Sequence, residues 1–413
     1  MHLSIGQGLR LVIQAAYFVL IARSLGPDAY GAFVAVVALA AVLSPFSGMG
    51  TPNLFIKDVR SGKRMAGVCW GNGLFLTTVS GIALTLVVLL VNFFFHLKTP
   101  WLVAVVICLS DLVFMKITEL AAFGFGAMDR MKELAIQSVV VSLLRLAGIA
   151  VLLVIFHSVS LSLWIWAYLA TSILGAFYAS FKGTRLWGSP ILSLSSLRED
   201  IAEGVFFSIS TSATSIYNDV DKIMLARLSD FSATGIYSAA YRIIDVSMTP
   251  VRSLVSAAYP QFFQKGVHGM RATYPYAKSL ILKSSIYGAG ILVGLWVVAP
   301  VLPAVLGKQY AAAVPALRWL SFIPLMRCIH VFFADALSGG GFQRTRTGIQ
   351  VGVGAINVAL NLVILPRYSW RGAAWTSLAC DALLVVAFWA TAEFLFRRQC
   401  ARFSGPIQVP ETI

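Results

Sequence analysis

Long apolar stretches separated by short polar ones are the main pattern along this chain of 413 residues. Each stretch holds about twenty residues, the length that an α-helix needs to cross the hydrocarbon core of a bilayer. The pattern therefore predicts twelve membrane-spanning helices, at approximately residues 4–23, 29–49, 68–94, 100–125, 134–156, 160–180, 202–226, 232–257, 279–303, 311–337, 347–366 and 372–396. The loops between them are too short for a soluble domain of about 50 residues, so we expect the function to lie in the helices or at their ends.

Composition agrees with a polytopic membrane protein, since only 12% of the residues are charged, against about 25% in soluble domains. The net charge of +15 would suggest nucleic acid binding in a soluble protein. Here the lysines and arginines concentrate in alternate loops, with seventeen in the predicted inside segments and six at the outside turns. By the positive-inside rule we expect both termini in the cytoplasm and no nucleic acid partner. The five cysteines and five histidines show no metal-type spacing, and no role is assigned to them.

The chain also contains an internal repeat. A shift of 204 residues lays LIARSLGPDAYGAF (20–33) on MLARLSDFSATGIY (224–237) without a gap, and it matches Gly31 with Gly235. Each copy ends one helix, turns and begins the next. Six helices per copy is an even number, so the two copies share one orientation and an axis along the membrane normal should relate them. We predict two six-helix lobes, 1–190 and 191–413, that form a V-shaped bundle around a central cavity.

Charged residues at predicted membrane depth are the first candidates for function. A charge facing lipid costs about 2.5–3.5 kcal/mol on insertion scales, so most of these groups should face one another or a water-filled cavity. The cations are Arg10, Lys116, Arg145, Lys222, Arg242, Arg252, Lys283, Arg318 and Arg327. The acids are Asp111, Glu119, Asp219, Asp221, Asp245, Asp335 and Asp381. For each residue, a structural ion pair is the alternative to a functional role.

The seventh predicted span carries a continuous polar face. At 100° per residue, a stripe about 120° wide holds Thr211, Thr214, Ser215, Asn218, Asp221 and Lys222, with Ser208 and Asp219 at its edge. A stripe three turns long is typical of a helix that lines a water-filled path. The i,i+3 spacing predicts that Lys222 pairs with Asp219, which leaves Asp221 available.

Two further spans place polar residues one turn apart. In the eighth span, Arg242 and Asp245 lie at i and i+3, and Pro250 should kink the helix. In the eleventh span, Asn357 and Asn361 lie at i and i+4. Two amide oxygens together with a carboxylate can bind a small cation; hydrogen bonds between helices are the alternative for the two asparagines.

Three segments resemble a known family: LIARSLGPDAYGAF, YNDVDKIMLARL with TGIYSAAYRI, and AINVALNLVILPRYSWRGAAWTSL. They resemble the polysaccharide-transport, Wzx-type oligosaccharide flippases of the multidrug/oligosaccharidyl-lipid/polysaccharide exporter superfamily. The resemblance covers nearly the whole chain. It implies two six-helix lobes and transfer of undecaprenyl-diphosphate-linked sugar units to the outer leaflet of the bacterial cytoplasmic membrane.

The resemblance also implies site residues. The related lipid II flippases bind sodium at positions that match Asp221, Asn357, Asn361 and Thr376, although this chain has Asn361 where the relatives have an acid. Their diphosphate-binding arginines are matched best by Arg10 and Arg242. With the cations at membrane depth, the candidate substrate-binding residues are Arg10, Lys116, Arg145, Arg242, Arg252 and Arg327. The candidate polar lumen is formed by Thr211, Thr214, Ser215, Asn218, Asp219, Lys222 and Asp245.

The interpretation is a flippase without a catalytic site that works by alternating access. It would take a lipid-linked oligosaccharide as substrate, sodium or a proton as coupling ion, membrane lipid as surroundings, and a polysaccharide polymerase and chain-length regulator as partners. Its product would enter O-antigen, lipopolysaccharide, capsule or exopolysaccharide. Three alternatives stay open: a multidrug cation antiporter of the same superfamily, a membrane enzyme and a structural scaffold. The enzyme would need a larger loop, and a scaffold explains neither the polar stripe nor the repeat.

Overall fold

The computed structural model describes residues 2–95 and 99–402, and throughout this part the chain forms helices and no β-strand. Apolar sequence favours helices in a membrane because a helix satisfies its own backbone hydrogen bonds. The α-helices are α1 His2–Leu43, α2 Thr51–Arg60, α3 Ala66–Phe95, α4 Trp101–Leu109, α5 Met115–Ala127, α6 Met131–Phe156, α7 Leu161–Trp187, α8 Leu194–Leu228, α9 Phe231–Ser247, α10 Thr249–Gly266, α11 Met270–Val298, α12 Leu302–Leu306, α13 Ala313–Leu320, α14 Phe322–Gly339 and α15 Gln343–Arg402.

Breaks inside the long helices separate several predicted spans. Gly26 interrupts α1 with φ 74°, a backbone conformation that glycine adopts without strain, and Ser369 interrupts α15 with φ 52°. Pro250 lies in the first turn of α10, just after α9 ends, so the break occurs where the sequence predicts a kink. A π-helical turn, Ser110–Phe114, joins α4 to α5.

Eight helical stretches of the described chain are long and apolar enough to cross a membrane. Two of them, Gly8–Arg60 and Gln343–Ala401, each contain two predicted spans, so the eight stretches account for ten of the twelve. The other two predicted spans, 202–226 and 232–257, lie on α8, α9 and α10, where charged and hydroxyl residues are frequent. The predicted class, an all-α polytopic membrane protein, is confirmed.

Contacts within the chain group it into two compact units. The first comprises the residues up to Ser238 together with Ala304–Tyr310, and the second comprises Ala239–Pro303 with the residues from Ala311 onward. In the first unit α1 packs against α6 and α8, and in the second α14 packs against α11 and α15. The predicted lobes, 1–190 and 191–413, are a division by sequence repeat and stay a prediction.

Within the first unit, the two copies of the sequence repeat contact each other. A β-carbon built on Gly31 would lie 1.7 Å from the carbonyl oxygen of Phe231, and one built on Gly235 would lie 2.0 Å from that of Pro27. Pro27 and Phe231 are also 204 residues apart, so they are equivalent positions of the repeat. Each copy therefore contributes the same glycine and the same carbonyl to the contact. Such reciprocity is what a two-fold axis produces. We call this contact the repeat crossing.

A second close approach, which we call the linker crossing, lies at the start of α8. A β-carbon on Gly204 would lie 1.7 Å from the carbonyl oxygen of Met49, and one on Gly50 would lie 2.4 Å from that of Gly204. Beside it, Arg64 contacts three acids: Glu199 at 2.8 Å, Asp58 at 3.3 Å and Asp200 in a closer ion pair. The beginning of α8 is thus bound to α2 and the loop after it by charge as well as by close packing.

The segment before α8 is also held in place. The backbone N–H of Ile191 donates to the carbonyl of Gly67 at 3.0 Å. The backbone N–H of Ser193 donates to Oδ1 of Asn72 at 2.9 Å, and Nδ2 of Asn72 donates to Asp200 at 2.8 Å. These bonds satisfy backbone groups of an irregular segment that would otherwise be unpaired. They position the polar helix α8 within the first unit.

Candidate functional site

The polar residues of α8 divide into an exposed and a buried set. Thr211 and Asn218 are exposed, and Ser215, Asp219 and Lys222 are half-buried. Ser208 and Asp221, at opposite edges of the stripe, are buried. The side chain of Thr214 lies outside the described residues. The predicted stripe is therefore a partly exposed polar face with a buried residue at each edge, and its role as a lumen wall stays a prediction.

Lys222 pairs within its own helix. Its Nζ lies 2.6 Å from Oδ1 of Asp219, the distance of a charge-assisted hydrogen bond. The sequence predicts this pair from the i,i+3 spacing, and the structure confirms it. The lysine charge is thereby neutralised locally, which lowers the cost of placing both groups on one half-buried face.

Asp221 has partners that the sequence analysis did not assign to it. Its side chain is 6% exposed. The hydroxyl of Tyr237 on α9 donates a close hydrogen bond to Oδ2, and the backbone N–H of Lys222 donates to Oδ1 at 2.8 Å. Tyr237 is completely buried and is the repeat equivalent of Phe33. The carboxylate that was expected to be available is instead bonded across the α8–α9 turn.

The other residues of the predicted ion site lie in the second unit. Asn357, Asn361 and Thr376 are all buried on α15, and Nδ2 of Asn361 donates to Oδ1 of Asn357 at 3.0 Å. Oδ1 of Asn361 and Oγ1 of Thr376 are buried without a hydrogen-bond partner among the described residues. A buried oxygen without a donor costs about 1–3 kcal/mol, and a hard cation binds such oxygens. The sodium site formed by these three residues and Asp221 stays a prediction.

Among the described residues, no three His, Cys, Asp or Glu side chains come together in a group that could hold a metal ion. The oxygens of Asn361 and Thr376 are of another kind, since they are neutral and suit a weakly held monovalent or other hard cation.

Two of the candidate substrate-binding cations are buried against other groups. Nζ of Lys116 lies 2.9 Å from Glu119. Nη1 of Arg145 donates to the backbone carbonyl of Tyr168 at 2.9 Å, and its guanidinium carbon lies 3.3 Å from the centre of the tyrosine ring. The tyrosine hydroxyl donates to Asp111 in the π-helical turn at 2.7 Å. Arg145 is thus part of a polar network inside the first unit.

Arg252 and Arg327 each bind an acid as well. Arg252 lies 2.8 Å from Asp245, so this aspartate pairs with the arginine seven residues later. Arg327 lies 3.7 Å from Asp381. The role of both arginines in substrate binding stays a prediction. To bind either arginine, a diphosphate would have to compete with the carboxylate that the arginine already contacts.

Arg242 differs from the other candidates. Its side chain is exposed, and no ion pair or hydrogen bond joins it to a residue that the structure describes. Arg10 is also exposed. The exposed guanidinium of Arg242 can form bidentate bonds to an incoming phosphate without first breaking an ion pair with a described residue.

Comparison with known proteins assigns the family. The sequence profile described as "Polysaccharide biosynthesis protein" matches residues 1–265. The chain belongs to this family. Over 397 residues it is also 24% identical to the "Putative O-antigen transporter" of Escherichia coli (strain K12), a match that covers 93% of each chain. The family predicted from the three sequence segments is confirmed.

The fold of this family member is similar to that of several solved structures. One is an inward-facing multidrug resistance MATE family transporter of the MOP superfamily, with a TM-score of 0.77, 14% identity and coverage of 96% of both chains. Another is the lipid II flippase MurJ in an inward closed conformation, with a TM-score of 0.77, 13% identity and coverage of 95% of this chain and 87% of the other. The fold is that of MOP-superfamily transporters. Together with the named relative, it agrees with the prediction of a transporter and not an enzyme.

One polar cluster of this family member was not predicted from its sequence. His330 was assigned no role, yet its Nε2 lies 3.1 Å from Oδ1 of Asp381, the carboxylate that Arg327 also approaches. Arg327 and His330 are three residues apart on α14 and face the same partner. That spacing was visible in the sequence, but nothing in the sequence indicated which acid the two residues would meet.

Proposed function

We propose that this protein is a flippase that moves undecaprenyl-diphosphate-linked oligosaccharide units across the bacterial cytoplasmic membrane. The product would supply O-antigen, capsule or exopolysaccharide. The observation that carries the proposal is the family match, extended by the likeness to a protein named as an O-antigen transporter over 93% of each chain. The MurJ likeness adds that this fold occurs in a lipid flippase.

The substrate combines an apolar tail, a diphosphate and a sugar, and each part needs a different surface. The tail can stay in lipid, while the diphosphate needs cationic donors that are not already committed. Arg242 supports this step, because it is exposed and forms no ion pair with a described residue. Arg10 is the second candidate because of the family resemblance alone, and the exposed polar residues of α8 would accompany the sugar.

We further propose that an ion drives the transport cycle. Asn357, Asn361 and Thr376 would hold a sodium ion through neutral oxygens, and Asp221 would contribute charge. The buried, undonated oxygens of Asn361 and Thr376 support this proposal. An ion shifts a conformational equilibrium only if it binds one state more tightly than the other. Neutral oxygens that have no other partner among the described residues can provide this difference, because the ion would bind only the conformation that brings them together.

Location and partners follow from the same proposal. The protein would lie in the bacterial inner membrane with both termini in the cytoplasm, as the distribution of lysines and arginines predicts. A polysaccharide polymerase and a chain-length regulator would act on its product at the outer face. These partners are proposed from the family resemblance.

A multidrug exporter is the second candidate, because the MATE transporter matches the fold with the same TM-score as MurJ. An exporter of organic cations requires accessible acids. In the described part of the chain, the acids predicted at membrane depth each contact a cation or a tyrosine hydroxyl. Drug resistance on overexpression, without any effect on glycan export, would favour this candidate.

The test of the flippase is export in cells that lack their own copy of this gene. We expect Arg242→Gln to lower surface glycan about tenfold or more, because hydrogen bonds to charged groups contribute about 1.5–3 kcal/mol. Arg344→Gln is the matched control, since Arg344 is an exposed arginine in a predicted inside loop. Lipid-linked units should accumulate inside the Arg242 variant. Equal export by both variants would contradict the assignment of Arg242 to the diphosphate.

A further inference from the structure

Three helices of the second unit meet at a polar cluster that lies outside the predicted coupling site. His330 and Arg327 lie on α14, Asp381 on α15 and Tyr241 on α9. Nε2 of His330 is 3.1 Å from Oδ1 of Asp381, and Nε of Arg327 is 3.7 Å from the same oxygen. Arg327 also donates a close hydrogen bond to the hydroxyl of Tyr241.

The charges of this cluster determine the proton positions. The Asp381 side chain is only 2% exposed, and a buried carboxylate needs a positive partner, which Arg327 supplies. An ionised carboxylate can only accept hydrogen bonds, so the nitrogen of His330 that faces it, Nε2, carries a hydrogen. The other ring nitrogen, Nδ1, is then the basic atom. With neutral His330, the charges of Asp381 and Arg327 cancel.

Proton uptake at Nδ1 would convert His330 into an imidazolium and add one positive charge to the cluster. Histidine ordinarily changes charge between about pH 5 and 8. The His330 side chain is 14% exposed, against 2% for Asp381, so the histidine is the more accessible of the two. Its hydrogen bond to Asp381 would become a charge-assisted ion pair between α14 and α15.

Asp381 is distinct among the acids of the second unit. The described part of this unit also contains Asp245, Asp335 and Glu393. Each of these acids binds an arginine: Arg252 at 2.8 Å, Arg346 at 3.0 Å and Arg397 at 2.6 Å, respectively. Asp381 binds an arginine and a histidine together. It is therefore the acid of this unit whose ion pairing a change of pH near neutrality would alter.

The surroundings of His330 contain few other ionisable groups. On α15 the ring faces Asp381 and stacks on Phe388, with ring centres 6.3 Å apart. On α9 the neighbouring group is Tyr241, reached through Arg327. Towards α10 and α11, helix α14 presents Cys328, which packs on Met248 and whose carbonyl accepts from Ser284 at 3.1 Å.

We propose that His330 and Asp381 form a proton-binding site, and that this site couples a proton gradient to transport. The coupling part rests on the proposed flippase function, whereas proton binding does not. A protonated His330 would strengthen the link between α14 and α15, so the proton would favour those conformations in which the two residues meet. The site shares no residue with the proposed sodium site of Asn357, Asn361 and Thr376.

Proton binding can be measured without any transport. A variant in which His2, His96, His157 and His268 are replaced by Gln keeps His330 as the single histidine. In lipid nanodiscs, its ¹⁵N imidazole signals should titrate between about pH 5 and 8. Adding Asp381→Asn should lower the midpoint by one pH unit or more, because an opposite charge at this distance favours the charged form. Adding Tyr241→Phe should leave the midpoint within half a unit.

A His330 signal that does not change over this pH range would overturn the proton site, as would an unchanged midpoint after Asp381→Asn. The aspartate variant is checked for folding by size-exclusion chromatography. If it does not fold, Asp381→Glu replaces it. The longer side chain changes the distance to Nε2 and should also move the midpoint, and an unchanged midpoint in that variant contradicts the proposal equally.

Coupling is tested in cells that lack their own copy of this gene, by the rate at which surface glycan appears at external pH 6 and pH 8. We expect the wild type to export at least threefold faster at pH 6, His268→Gln to behave like the wild type, and His330→Gln to export equally at both pH values. A wild-type rate that does not depend on pH, or a His330→Gln variant that keeps the dependence, would overturn the coupling. If the wild type restores no surface glycan, the flippase function fails while the titration still decides the proton site.

Discussion

The repeat crossing and the linker crossing both join the first helices of the chain to later ones, but they do so by different means. At the repeat crossing, Gly31 and Gly235 bring two backbones together reciprocally. At the linker crossing, Gly204 lies close to the backbone of both Met49 and Gly50, and Arg64 adds contacts to three acids beside it. The first contact therefore depends on shape alone, whereas the second depends on shape and charge.

This difference suggests how the two contacts could respond in a transport cycle. The repeat crossing depends on close backbone packing, which salt and pH do not change. We expect its two backbones to stay together or to separate in one step. At the linker crossing, the pairs of Arg64 with Asp58 and Asp200 are buried, but Glu199 is largely exposed. The Arg64–Glu199 pair therefore exchanges with water more readily, because exposed pairs contribute little net stability. The linker crossing is thus the one that solution conditions can modulate, and the repeat crossing is the one that only steric change can alter.

The largest effect is expected from removing the charge at the linker crossing. Arg64→Gln would leave Asp58 and Asp200, both buried, without their cation. Breaking a buried ion pair from one side costs about 3–5 kcal/mol, so thermal unfolding of the purified protein should shift by several degrees or more. Lys57→Gln is the control, because the Lys57–Glu203 pair at 2.6 Å is about half exposed and exposed ion pairs contribute little to stability. Equal shifts for both variants would contradict the charge-based account.

A smaller but still clear effect is expected at the repeat crossing. Gly31→Ala places a methyl group where the carbonyl oxygen of Phe231 lies, and overpacking of this kind costs about 1–3 kcal/mol. We expect lower thermal stability and reduced glycan export, with the same result for Gly235→Ala because the contact is reciprocal. Gly290→Ala on α11 is the control, since nothing lies within 4 Å of its β-carbon position. A large difference between the two crossing variants would break the symmetry argument.

The smallest effect is a pH dependence confined to one crossing. A hydrogen bond from Arg64, with another from Lys63, lowers the pKa of Glu199 below its usual 4.5. A carboxyl group whose pKa is lowered by folding stabilises the fold above its unfolded-state value and loses this contribution as pH falls through the folded value. Hydrogen exchange should therefore accelerate around Glu199 below about pH 4.5, but not around Gly235. Equal acceleration of hydrogen exchange around Glu199 and around Gly235 would show that low pH affects the whole first unit.

Local sequence patterns predicted much of this arrangement. The apolar periodicity located the helices, because a bilayer imposes length and composition on every span. The Lys222–Asp219 pair followed from i,i+3 spacing on one helix. The sequence repeat had already aligned Gly31 with Gly235, although it did not show that the two glycines touch.

Partners contributed by other helices were not predictable in the same way. The sequence placed Asp221 on a polar face, but only the turn between α8 and α9 brings the Tyr237 hydroxyl to it. Arg145 was a candidate for substrate, and its position beside Tyr168 depends on how α6 packs on α7. His330 lies three residues after Arg327, but only the packing of α14 on α15 places Asp381 next to it.

The sequence by itself thus determined the class of the protein, the positions of its helices and the groups available at membrane depth. These properties depend on the free energy of transferring each residue into lipid, which is a property of local composition. Only the tertiary structure decided which charges neutralise one another, which oxygens stay without donors and which arginine stays uncommitted. Those outcomes depend on distances of about 3 Å between residues far apart in sequence, and many different helix packings satisfy the same hydrophobic pattern.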